Sequence, residues 1–76
     1  MNPNMLNKLK KMQKQIQDAQ EELEASEFTG KASGVTVIMQ GSRQVIDVKI
    51  DKDLLDEVEM LQDAVLLAVN DALAQI

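Results

Sequence analysis

A heptad rhythm runs from Asn4 to Glu27, and no other feature limits the rest of the chain as strongly. Met5, Leu9, Met12, Ile16, Ala19, Leu23 and Ser26 succeed one another at steps of 4, 3, 4, 3, 4 and 3. That spacing keeps one stripe of an α-helix turned toward a partner helix. Nothing in the stretch breaks a helix, and its Lys, Gln, Glu, Leu, Met and Ala content favours one. Asn2 and Pro3 supply a cap and a first helical residue, with Asn4 as a competing cap. At about 1.5 Å per residue the helix is roughly 35 Å long. In a chain of 76 residues such a helix is an arm, and the remainder must form the body that holds it.

The arm changes sign along its length. Lys8, Lys10, Lys11 and Lys14 precede any acid, and Asp18, Glu21, Glu22, Glu24 and Glu27 then come without a further base. Basic residues in the first turns oppose the helix macrodipole, so local helix stability does not account for the arrangement. The net charge of −5 hides this segregation, and the distribution of charge matters more to a charged partner than its total.

Composition removes several function classes. There is no cysteine and no histidine, hence no disulfide framework, no thiolate metal site, and neither the commonest metal ligand nor the commonest general base. The single aromatic, Phe28, provides no stacking platform for single strands. Asp51, Asp53, Asp56 and Glu57 cluster, but without EF-hand spacing, and acids before a helix serve capping and the dipole. No phosphate loop or nucleophile with its base is present. The reading is a protein that is not an enzyme and takes no cofactor or metal. Met1 to Leu9 lacks an apolar run and no stretch is long enough to cross a bilayer, which makes a soluble cytoplasmic protein the plain expectation.

From Phe28 the period changes. Phe28 to Lys31 is short and β-prone, Ala32-Ser33-Gly34 reads as a turn, and Val35 to Gln40 as a strand with Val35, Val37 and Met39 on one face. Ile46, Val48 and Ile50 alternate with Asp47, Lys49 and Asp51 in the next strand. Gly41-Ser42 fits a two-residue hairpin with glycine first, which sets Val37 opposite Ile46 and Val35 opposite Val48. A four-residue loop, Gly41 to Gln44, shifts the pairing by two and leaves the faces matched. Ile38 and Val45 then fall on the outer face, where they are expected to pair across the hairpin.

Asp51 or Asp53 is expected to cap the last segment, a short turn at Leu54 and Leu55 and then a helix to Ile76. The inner face of this helix is Leu61, Ala64, Val65, Ala68, Val69, Ala72 and Ile76, with Leu66 and Leu73 continuing a second stripe. The helix is more apolar than packing on one sheet requires, so a second surface must cover it, most simply another copy of the chain. The abrupt stop at Ile76, without capping glycine or polar tail, suggests a piece of something longer.

Phe28-Thr29-Gly30-Lys31, the hairpin around Gly41, Val48-Lys49-Ile50-Asp51, Leu61-Gln62-Asp63-Ala64-Val65 and Val69-Asn70-Asp71-Ala72, in this order behind a Met/Gln/Lys-rich helix, resemble the YbaB/EbfC family of bacterial nucleoid-associated proteins. The resemblance covers nearly the whole chain. It implies a homodimer whose sheets and second helices form the body, with two first helices projecting like the arms of tweezers. It also implies double-stranded DNA binding with limited sequence preference, and a nucleoid location within the cytoplasm.

The expectation is therefore a single α+β domain over residues 1–76: a helical arm at 2–27, a three-stranded antiparallel β-meander at 28–51, and at 53–76 a helix packing on the sheet and a dimer interface. Lys8, Lys10, Lys11 and Lys14 are the candidate DNA contacts, neutralising phosphates, with Asn4, Asn7, Gln13 and Gln15 able to add hydrogen bonds. Ile38, Val45, Leu66, Val69, Leu73 and Ile76 are the candidate dimer interface. The competing reading is a dimeric protein-interaction module that holds a partner helix between its arms, with DNA binding incidental. Its motive is the methionine-containing seam of the first helix, whose occupant the sequence leaves open: the twin arm, the second helix or a bound ligand.

Overall fold

A computed structural model describes residues 3–76; the cap expected at Asn2 lies outside them. The order is helix α1 (Pro3–Ala25), strands β1 (Glu27–Ala32), β2 (Val35–Gln40) and β3 (Val45–Ile50), a 3-10 turn (Lys52–Leu54) and helix α2 (Val58–Ala74). The strands form one antiparallel sheet in the order β1-β2-β3. The molecule measures 68 × 15 × 12 Å; α1, about 35 Å long, supplies about half of the long dimension and has no buried residue.

The β1–β2 turn forms as read. Ala32 pairs with Val35 across Ser33 and Gly34, and both turn residues have positive φ, 23° and 89°. That is the backbone of a type I′ hairpin, whose twist matches that of the strands. At the β2–β3 connection the four-residue alternative holds and the two-residue hairpin does not. Val37 pairs with Val48 and Val35 with Ile50. Gln40 N–H donates to the Gln44 carbonyl at 2.8 Å, Arg43 N–H donates to the Gln40 carbonyl at 2.8 Å, and the left-handed residue is Arg43, at φ 69°. Gly41 is needed for another reason. A Cβ there would stand 2.7 Å from the Leu23 carbonyl carbon and closer still to its oxygen.

The four-residue register, which sets Ile38 opposite Asp47, overturns the expected Ile38–Val45 pair, and a bulge follows between Ile38 and Met39. Val45 stands opposite the buried Met39, while half-buried Ile38 lies between Thr29 and Asp47. The extra residue, Ile46, resets the alternation of β3 and turns Val45 to the inner row.

The core is small: Val35, Val37, Leu54, Ala64 and Ala68, with Ala32, Leu61, Val65 and Val69 packed around it. Helix α2 sits low on the sheet because its contact row is alanine, Ala64, Ala68 and Ala72, above Gly30. A Cβ on Gly30 would meet Ala72 N at 2.6 Å, so the close approach depends on small residues on both sides. Asp51 caps the 3-10 turn, its carboxylate accepting from Asp53 N–H at 3.2 Å. The N-cap of α2 is instead Glu57, which makes no side-chain capping bond, and the helix ends at Ala74, two residues before the expected Ile76.

Candidate nucleic-acid interface

Two surfaces have no use in the folding of the single chain. The first is the arm. Lys8, Lys11, Lys14 and Lys10 are all exposed, and at about 100° per residue they spread over roughly 160° of the helix surface, leaving the seam on the other side. Lys8 and Lys11 join Asn4 and Asn7 around a shallow concavity toward the arm's N-terminal end. Four ammonium groups with asparagine amides between them form a donor-rich surface suited to phosphate oxygens. The structure brings all four predicted lysines together, well away from the body. Asp18, Glu21, Glu22 and Glu24 occupy the half of α1 nearer the sheet.

The arm leaves the body in a defined direction. Gly41 N–H donates to the Ser26 carbonyl at 2.9 Å and Ser42 N–H to the Glu24 carbonyl at 3.2 Å. Ser26 Oγ donates back to the Glu22 carbonyl at 2.7 Å. The β2–β3 loop thus satisfies carbonyls that the end of α1 would otherwise leave to water, and the missing side chain of Gly41 lets the two backbones meet.

The second surface is the inner face of β3. Helix α2 covers β1 and β2 but not β3. Across the hairpin, Val37 is 0% exposed while its partner Val48 is 44% exposed, and Val35 at 1% faces Ile50 at 43%. One edge of the sheet is closed: Lys31 N–H donates to Asp71 Oδ2 at 3.0 Å and Gln75 Nε2 to the Thr29 carbonyl at 2.7 Å, so α2 guards the free edge of β1. Beside the buried alanine row, Val65 and Val69 of α2 and the following Ile76 are half-buried, while Leu66 and Leu73 are exposed. Of the residues expected at an interface, Val45, Leu66 and Leu73 are exposed and Ile38, Val69 and Ile76 half-buried, while Val48 and Ile50 on β3 are exposed as well. Sequence reasoning placed Val48 and Ile50 on one face of their strand and did not count them toward an interface. Width could have revealed them, since a helix about 10 Å across covers two strands spaced about 4.8 Å apart and leaves the inner face of a third open.

Comparison with known proteins decides the family. The profile of the YbaB/EbfC DNA-binding family matches residues 1–76. The chain belongs to the YbaB/EbfC DNA-binding family. Among curated relatives, a nucleoid-associated protein of Enterococcus faecalis is 45% identical over 76 residues, covering 95% of this chain and 73% of its own. One from Clostridium kluyveri is 43% identical over 74 residues, covering 92% and 65%. The chain thus spans about two thirds of the length of such relatives. The crystal structure of an uncharacterized Helicobacter pylori protein matches with a TM-score of 0.74 at 28% identity, over 95% of this chain and 81% of that one. Among the described residues, no helix is long and apolar enough to cross a membrane.

Proposed function

We propose that the chain works as a homodimer that binds double-stranded DNA through the basic halves of its two arms, in the nucleoid. The observation that carries the reading is the segregation of Lys8, Lys10, Lys11 and Lys14 onto the exposed, acid-free half of α1 in a member of a DNA-binding family. Two arms present eight lysines, and released counterions drive the association. Glu21, Glu22 and Glu24 repel phosphate, so contact is confined to the basic half.

The dimer is supported by the exposed inner face of β3 and by the exposed apolar residues Leu66 and Leu73 of α2. A core this small leaves a single chain with a low share of its surface buried, and a second copy adds area where the first has none to give. The body dimer would be built on Val45, Val48, Ile50, Leu66, Val69, Leu73 and Ile76.

Titration of duplex DNA over a range of salt, read by gel shift, tests the reading. With about five to eight phosphates neutralised, log K should fall with log salt at a slope of about −5 to −7. Absence of binding at low salt would refute it. A second reading, a partner helix held between the arms, is favoured by the exposed seam of α1; a stoichiometric protein partner that survives high salt would support it.

A further inference from the structure

Among the described residues, none covers the seam of α1. Met5 and Ile16 are each 59% exposed and Met12 57%, with Leu9 and Leu23 close to half exposed. Six apolar residues at heptad spacing on an exposed helix are a coiled-coil face without its other half.

We infer that this seam is filled by α1 of another copy, running antiparallel, so that arms from two different bodies clasp each other. The helix is its own complement when reversed. Setting Met5 against Leu23 of the second copy places Leu9 against Ala19 and Met12 against Ile16, and the two-fold axis repeats each layer. Every apolar seam residue from Met5 to Leu23 meets an apolar one, over about 28 Å of helix. Lys8 and Glu22 occupy equivalent flanking positions two heptads apart. In this register Lys8 of each copy stands beside Glu22 of the other, and Gln15 beside Gln15. The sign change along the arm also gains a purpose: the basic half of one arm lies along the acidic half of the other. A parallel pair would stack lysines on lysines and glutamates on glutamates, which is unfavourable.

Lys10, Lys11 and Lys14 lie outside the seam and its flanks, so arm pairing leaves them free for phosphate. A protein with two arms per body could then link bodies into closed pairs or chains and hold separate duplex segments together. The arm contact does not depend on the body dimer, since the two involve different residues.

Sedimentation of the whole chain across a range of concentrations provides the test. The expected result is self-association that Ile16→Glu weakens by about a hundredfold, because a charge is placed in a dry seam. Val48→Glu should remove only the body contact. Lys8→Glu and Glu22→Lys should each weaken the arm contact, and the two together should restore it, an outcome that a general loss of structure cannot produce. Orientation is read by cross-linking, which the absence of native cysteine makes clean. Lys8→Cys mixed with Glu22→Cys should join through a short bismaleimide spacer, and neither should join to itself. Self-cross-linking of Lys8→Cys would mean parallel arms. Unchanged association in Ile16→Glu, or a stoichiometric foreign protein on the seam, would equally overturn the inference.

Discussion

The two helices of this protein have apolar faces of similar length and opposite fates. Helix α2 spends its face inside the chain: Ala64, Ala68 and Ala72 are 2%, 0% and 0% exposed, lying close over Gly30. Helix α1 buries nothing, although its seam residues are larger. The difference is one of fit rather than hydrophobicity. Alanine against glycine brings a helix axis close to a sheet, whereas a heptad seam of Met, Leu and Ile suits the grooves of another helix. Size of an apolar face therefore does not say whether it belongs to the fold; the shape of its side chains is the better guide.

This contrast can be tested from both sides. The largest effect should come from Lys10→Glu, Lys11→Glu and Lys14→Glu combined, which reverse three charges per arm. DNA affinity at low salt should fall by at least about a thousandfold, measured by gel shift, with circular dichroism and the thermal melt almost unchanged. On the α2 side, Gly30→Val forces side-chain atoms against the Ala68 carbonyl and Ala72, and should cost the body about 3 kcal/mol or more in chemical denaturation. Val48→Glu, on the face that α2 fails to cover, should weaken the homodimer by about 2–4 kcal/mol, read by sedimentation.

Smaller effects probe the joint and the arm. Gly41→Ala pushes a methyl into the Leu23 carbonyl. It should cost about 1–2 kcal/mol and broaden the distance distribution between spin labels on α1 and on β2, because the loop no longer seats against the arm. Ile16→Ser should change the stability of the dilute chain by less than about 0.5 kcal/mol, as expected of a residue that buries nothing in the folded monomer. A loss as large as that of Gly30→Val would mean that α1 is part of the body and would end the contrast.

Much of this architecture was legible in local pattern. The heptad steps from Met5 to Ser26 gave the arm, alternation from Ile46 to Ile50 gave a strand, and Ser33-Gly34 gave the tight turn. These are short-range properties: side-chain period selects helix or strand, and φ preference selects the turn. The lysines were legible too, because a helix once assigned fixes which of its residues share a side. Less legible was the β2–β3 connection, where Gly41 looks like a turn glycine and serves as a close-contact glycine. Its competing use comes from Leu23, a residue far from it along the chain.

By itself, then, the sequence determined the order of elements, the segregation of charge along the arm and the heptad seam, all of which depend on spacing within single elements. Only the tertiary structure decided that the loop has four residues and β3 a bulge, that Val45 rather than Ile38 belongs to the inner row, and that α2 stops short of β3. Each of these depends on where one element rests on another. The physical reason is contact between residues distant in sequence: Gly30 under Ala68 and Ala72 sets the position of α2, and Gly41 under Leu23 sets the direction of the arm.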